Sequence, residues 1–393
     1  MRSERVASTQ SQLRLAFTGC LALAVAMGIG RFAYTPLLPL MIGEGRLTLA
    51  EGGAIASVHF LGYWLGAVAA IWLRPQSLCT LVAALAGIGV VTIAMAMTDA
   101  IGWWLILRLL AGVLSAFVLI LVGSVIVKEL ALTDAGHRQG WVFSGVGAGI
   151  ALVGLAALGI MGVGWSSKSG WALFGVAALL AASIAAAVLA RLPRRLALVN
   201  GSATQSAARL PHSLVAAYGI AGFGYVIPAT YLPVMAREVV PDPLVFGCGW
   251  PVFGLAAFLS TLAAARLDKA RSTRGIWSAG QLMLAAGLAL PAVVPGLAAI
   301  LFSGLAVGGT FMVITMAGMR EAHRLCDGRD AERAVAILTS AFAAGQAVGP
   351  GLAGALHDLT GSLSAVLLLT SGAVAISAVL IFPSPKQPET ARS

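Results

Sequence analysis

The sequence predicts an all-α membrane protein in which twelve transmembrane helices form two six-helix halves. Three observations carry that expectation. Of the 393 residues, 59% are hydrophobic and only 10% are charged, against about 25% charged in a soluble domain. Apolar runs of helix length follow one another along the chain, each near the ~20 residues that cross ~30 Å of hydrocarbon. A motif in the first run recurs beyond a polar stretch at mid-chain.

The runs are bounded by charges, Gly or Pro, and no ten-residue alternation of the barrel type occurs. Span 1 (15–41) follows Arg14, and span 2 (50–73) opens at Glu51. Span 3 (78–98) ends at Asp99. Span 4 (101–127) opens on Trp103 and Trp104, which read as interface anchors, and stops before Lys128. Span 5 (139–163) and span 6 (170–190) lie between Arg138, Lys168 and Arg191. Span 7 (213–236) and span 8 (244–265) end at Arg237 and Arg266. Span 9 (276–293), span 10 (296–319), span 11 (334–356) and span 12 (363–382) complete the set. Every Asp and Glu falls in a loop, a tail or a span end on this reading.

An even number of spans puts both termini on one side. Of the 25 Lys and Arg residues, three fall in odd-numbered loops (Arg46, Lys168, Arg237) and two inside spans (Arg31, Arg108). The remaining twenty lie in the tails and even-numbered loops, so both termini are expected in the cytoplasm. The connection "RLPRRLALVNGSATQSAARLPH" at 191–212 reads as a cytoplasmic linker. It separates an N-terminal half at 1–190 from a C-terminal half at 213–393.

The repeat supports that division. Shifted by 194 residues, "GIGRFAYTPLLPLM" (28–41) lands on "GFGYVIPATYLPVM" (222–235), with Gly28/Gly222, Gly30/Gly224, Leu38/Leu232, Pro39/Pro233 and Met41/Met235 in agreement. "GVGAGIALVG" from Gly145 and "GQAVGPGLAG" from Gly345 match at an offset of 200. Both pairs keep the same orientation, which is a parallel repeat. Gly62/Gly66, Gly145/Gly149, Gly304/Gly308 and Gly345/Gly349 are small-xxx-small pairs of the kind that lets helices approach closely.

The formal charge of +10 is scattered between apolar runs with no basic arm, which fits loops facing an anionic leaflet and argues against nucleic acid. The four cysteines stand alone, so neither a disulfide framework nor a metal site is indicated. No nucleophile, base or metal-ligand cluster supports an enzyme, and no cofactor motif stands in a suitable setting. The expected partners are a small-molecule substrate, with an anionic one among the readings, and membrane lipid, with the chain a monomer.

What lies within the spans is cationic or titratable. Arg31 stands ~15 Å from the outer end of span 1, Arg108 ~10 Å into span 4 and His59 ~12 Å into span 2, at 1.5 Å per residue. A charge facing lipid at that depth costs at least ~2.5–3.5 kcal/mol, so both arginines should face the bundle interior. Two readings stand for each: a cavity residue that recognises an anion through its guanidinium fork, or a clamp on carbonyls freed by Pro36 and Pro39. His59 is the candidate for proton coupling. Tyr34, Thr35, Tyr63 and Gln346 are candidate neutral ligand contacts. Tyr225 is the repeat counterpart of Arg31, so one wall of the cavity would be cationic and the other aromatic.

G-x-G-R-F-x-Y-T-x-x-L-P-x-M at 28–41, "LGYWLGA" at 61–67, "RLLAGVLSAF" at 108–117 and "GQAVGPGLAGALHDLTGS" at 345–362 together resemble the YbfB/YjiJ group of major facilitator transporters. The resemblance implies a twelve-helix secondary transporter of the bacterial inner membrane and names no substrate. The chain departs from the wider superfamily after span 2, where the acidic-basic motif is reduced to "LRPQS" (73–77). Its counterpart persists as "ARLDKARSTR" (265–274), which makes Asp268 and Lys269 candidates for a cytoplasmic gate. An Asn usually stands in the group where this chain has His59. The expected function is secondary active transport of a small organic solute by alternating access, as export, with proton coupling possible. The alternatives are uptake of an organic anion and, from another class, a non-transporting membrane sensor.

Overall fold

The computed structural model describes residues 9–382 apart from 74–76, 128, 131–132, 134, 136–137, 192–209, 241, 267–271 and 327. Most of the linker at 191–212, and both Asp268 and Lys269, lie outside the described residues.

Among the described residues, twelve helices are long and apolar enough to cross a membrane. In order they are Thr9–Gly43, Leu49–Ala70, Leu78–Ala96, Ile101–Val127, Gln139–Gly162, Ser167–Leu189, His212–Val239, Leu244–Ala264, Thr273–Val293, Leu297–Leu325, Arg333–Thr360 and Leu363–Ile381. They correspond one for one to the expected spans, and no strand occurs among the described residues. Spans 1–6 pack into one half and spans 7–12 into the other. The halves meet where span 2 lies along span 11 and span 5 along span 8.

Glycine sets how closely these helices approach. A Cβ on Gly62 would sit 2.1 Å from the Leu109 carbonyl oxygen and one on Gly112 2.1 Å from that of His59, which locks spans 2 and 4 together. A Cβ on Gly145 would lie 2.2 Å from the Cys20 oxygen, and one on Gly345 2.1 Å from the Gly219 oxygen. Spans 1 and 5 therefore touch as spans 7 and 11 do, in line with the sequence repeat.

Several helices, among them spans 1, 7, 10 and 11, run longer than hydropathy alone suggests. Span 10 continues to Leu325, which brings Glu321 into its last turns rather than a loop. There Glu321, with its side chain 1% exposed, pairs with Arg274 at 2.6 Å and Arg324 at 2.8 Å. Two arginines on one carboxylate offset the cost of burying it.

The two tryptophans opening span 4 part company. Trp103 is exposed, as an interface anchor should be, but Trp104 is fully buried and donates its indole N–H to the Met95 carbonyl at 3.2 Å. The Arg46 guanidinium stacks on its ring 4.9 Å from the centroid. Arg46 also donates to Asp99 (3.0 and 2.5 Å) and Ser167 (2.7 Å), while Lys168 reaches Asp99 at 2.6 Å. The Lys168 and Arg46 hydrogen bonds hold the Asp99 carboxyl below the ordinary carboxylate range. One polar network thus ties together the three loops that cap the N-terminal half at the end away from the termini. Glu51 has a local role: with Thr48 it forms a reciprocal capping box (2.7 and 3.2 Å) that starts span 2.

Candidate functional site

Span 1 is not one helix. An α-helix over Thr9–Leu23 widens into a π-helix over Ala24–Arg31, breaks at Phe32 and Ala33, and resumes as an α-helix over Tyr34–Gly43. The local cause is Pro36, which cannot donate to the Phe32 carbonyl and crowds the turn before it. The Thr35 N–H takes the Phe32 oxygen instead (3.3 Å), which takes the Arg31 carbonyl out of the helical ladder. Gly28 fits there because span 5 approaches so closely that a Cβ would meet Gly149 backbone atoms at 2.5–2.7 Å.

Arg108 fills the break. Its Nη1 donates to the Gly30 carbonyl (2.8 Å) and its Nη2 to the Arg31 carbonyl (2.9 Å). Its guanidinium lies 5.2 Å from the centre of the Tyr34 ring and 6.0 Å from a ring centre of Trp171. Tyr34 spends its hydroxyl on the Gly52 carbonyl at 2.9 Å. His59 lies behind this pair. Its Nδ1 is 3.2 Å from the Arg108 carbonyl, so Nδ1–H donates and Nε2 carries a lone pair. That Nε2 is buried without a partner among the described residues.

Arg31 points the other way, toward the C-terminal half. Its Nη2 donates to the hydroxyl oxygen of Tyr225. The Gln346 side-chain amide donates to the same oxygen at 2.8 Å. Aromatic rings surround the guanidinium, with centroids at 5.0 Å (Phe32), 4.8 Å (Phe60), 5.3 Å (Tyr63) and 5.9 Å (Tyr225). Such contacts stabilise a cation the more when it is withdrawn from water. Arg31 is 8% exposed and Gln346 1%. The satisfaction is nevertheless incomplete: among the described residues Arg31 Nε and Gln346 Oε1 are buried with no partner, and Arg31 Nη1 reaches the Met27 sulfur at 4.0 Å.

Tyr225 belongs to a run of near-parallel rings. It stacks on Phe342 (5.4 Å, 15°) and Phe311 (5.0 Å, 8°). Phe311 continues to Phe253 and Phe253 to Trp250. Aromatic packing thus extends from Tyr225 through Phe342, Phe311, Phe253 and Trp250. Phe60, Phe311 and Phe342 carry no sequence signal, because a phenylalanine in an apolar span looks the same whether it meets lipid or a guanidinium.

From Arg31 toward the end away from the termini, span 1 meets span 7 in a single stripe. Thr35 Oγ1 donates to the Ala229 carbonyl at 2.9 Å, and Arg237 donates to the Pro39 carbonyl. A Cβ on Gly43 would overlap the Arg237 guanidinium. Arg31/Tyr225, Thr35/Ala229 and Gly43/Arg237 are all separated by 194 residues, the offset of the repeat. Beside the stripe, Tyr231 donates to the Pro350 carbonyl (2.6 Å) and the Gly351 N–H donates to Ser57 (2.8 Å). The Thr9–Leu23 segment of span 1 packs instead on spans 5 and 6 of its own half.

Arg31, Tyr63, Tyr225 and Gln346 therefore form one cluster. Arg108, Tyr34 and His59 form a second around the helix break, and Thr35 belongs to the contact between halves.

Residues 23–382 match the family model described as uncharacterised MFS-type transporter YbfB. No curated protein matches the chain. A crystal structure of a mutant of the nucleoside transporter NupG has a similar fold, with a TM-score of 0.72 at 15% identity, covering 95% of this chain and 100% of that one.

Proposed function

The chain belongs to the YbfB-type family of MFS transporters, and from that premise we propose that it is a secondary carrier that holds the anionic end of a small organic solute on Arg31. The family makes it a multi-pass membrane transport protein. The observation that carries the finer reading is the state of Arg31. It is a buried cation with no carboxylate partner among the described residues, its Nε is unpaired, and it lies where the halves meet. Alternating access needs a ligand contact at such a place, because the halves rock about it. Arg108 acts as the clamp that orients Arg31, and Tyr34 as its support.

The twenty-to-three split of basic residues supports cytoplasmic termini in the bacterial inner membrane. The end closed by the stripe between spans 1 and 7 is then periplasmic. Closure on that side supports a cytoplasm-facing state, from which an exporter loads. His59 Nε2 is the proton site of this reading.

Transport of a panel of organic anions into proteoliposomes under an imposed pH gradient tests it. Arg31→Ala is expected to abolish carboxylate transport. Undiminished carboxylate transport by that variant would show that Arg31 does not bind the solute. His59→Asn is expected to keep solute counterflow and lose acceleration by the pH gradient. Uptake from the periplasmic face with no movement outward would reverse the assigned direction.

A further inference from the structure

The cluster around Arg31 already holds an aromatic oxygen compound, namely its own Tyr225. A phenol oxygen receives N–H groups from Arg31 and from Gln346 while its ring lies between Phe311 and Phe342. We propose that the solute is an aromatic hydroxy acid, and that its carboxylate and hydroxyl replace the Tyr225 oxygen between Arg31 and Gln346. This rests on the reading that Arg31 binds the solute's anionic end, and adds the chemical class.

Three features select that class. First, Arg31 Nε has no acceptor among the described residues, and once the Tyr225 oxygen leaves Nη2 the Nε–Nη2 edge offers a carboxylate two parallel N–H bonds. Second, Gln346 Oε1 is a buried acceptor that lacks a donor among the described residues. Arg31 and Gln346 bond to one oxygen, so their bonding nitrogens lie within about 6 Å of each other. A single ligand bearing an O–H beside its carboxylate spans both vacant groups. An ammonium in place of that O–H would face the Arg31 cation, and no carboxylate among the described residues stands at the cluster to offset it. The donor is therefore neutral. Third, Phe32, Phe60 and Tyr63 present rings to Arg31, with centroids at 4.8–5.3 Å. This surface favours a planar apolar body over a flexible one.

The proposal also states what binding does to the protein. Tyr225 stands on span 7 and Arg31 on span 1, so their bond holds the two halves together. A ligand that takes Arg31 and Gln346 away from Tyr225 removes that bond and leaves Thr35 and Arg237 to keep the stripe closed.

The test is calorimetric titration of the full-length protein in lipid nanodiscs with four acids that differ by one group: mandelate, phenylacetate, hexahydromandelate and phenylglycine. Mandelate is expected to bind most tightly. Phenylacetate, lacking the hydroxyl, should bind about fivefold more weakly, the size of one neutral hydrogen bond. Hexahydromandelate, lacking the planar ring, should bind about two- to tenfold more weakly, and phenylglycine weakest of all. In Gln346→Leu the mandelate-to-phenylacetate ratio should fall to about one while phenylacetate affinity is kept. Arg31→Lys, a milder change than Arg31→Ala, should weaken every carboxylate at least tenfold. The wild-type series tests the class without any variant. If the three carboxylates without an ammonium bind equally and in an Arg31-dependent manner, the hydroxy-acid class is wrong and the anion site stands. If none binds wild type, the class is also wrong. If they bind but neither Arg31 variant weakens them, the anion site itself is wrong.

Discussion

Spans 1 and 7 are copies of one motif that fold differently. Span 7 runs as a continuous α-helix from His212 to Val239 although Pro228 and Pro233 lie inside it. Span 1, with Pro36 and Pro39, widens and breaks over Ala24–Ala33. Proline within the helix therefore does not by itself decide the break: Pro39 is matched by Pro233, whereas the breaking Pro36 is matched by Thr230, whose N–H can stay in the ladder. In span 1, moreover, Arg108 from span 4 donates to the carbonyls that the break releases, and so makes the irregular backbone tolerable at membrane depth. In the C-terminal half the arginines of span 10, Arg320 and Arg324, lie in its last turns, far from such a position. One copy keeps a regular helix and offers an aromatic ring. The other gives up regularity and carries a charge.

The comparison breaks most visibly at Arg108. Arg108→Leu removes two charge-assisted hydrogen bonds of ~1.5–3 kcal/mol each and leaves two carbonyls bare. A loss of at least about 3 kcal/mol is expected in detergent melting. Hydrogen exchange should rise at residues 30–35 and stay unchanged at the matching residues 224–229. Equal change in both copies would mean that Arg108 does not hold the break.

Next in size is Tyr225→Phe, which takes the shared acceptor from Arg31 and Gln346. About 2 kcal/mol of stability should be lost, and carboxylate ligands should restore more melting temperature than they add to wild type. Thr35→Val should cost about 1 kcal/mol through the contact between copies. In a cysteine-free background it should speed thiol labelling of Ala229→Cys.

The smallest effect is expected in the capping network, which has no part in the comparison of spans 1 and 7. The Asp99 carboxyl titrates below its ordinary range because of Lys168 and Arg46. Its contribution is full above the unfolded carboxylate value of about 3.9 and fades as pH falls through the lower folded value. Asp99→Asn should therefore be slightly less stable than wild type at pH 7, and the gap should close toward pH 3.

Much of the fold was legible in the sequence because hydropathy reports directly on the solvent. All twelve spans stand where apolar runs place them, and the parallel repeat anticipates the like packing of spans 1 with 5 and 7 with 11. The end of span 10 was read short at Glu321, since two arginine partners let a carboxylate enter its last turns. Trp104 was misread because an interface tryptophan and a buried one differ in their neighbours rather than in their local sequence. Arg31 was legible as a buried charge, and its repeat counterpart Tyr225 stands against it. That Arg108 clamps carbonyls freed by a helix break was one of its two readings, but which carbonyls it takes, those of Gly30 and Arg31, was not legible. Its targets are backbone oxygens released by a helix break, and no residue type encodes them.

The stripe of contacts at an offset of 194 bears on how this chain acquired its charge. In two identical subunits related by a twofold axis, a residue on the axis meets its own copy. An arginine at position 31 would then have confronted another arginine in a dry interior, with no counter-ion between them. Joined halves escape that restriction, because each can vary alone. Arg31 beside Tyr225 is a mark of broken symmetry, available to one continuous chain and denied to a pair of equals.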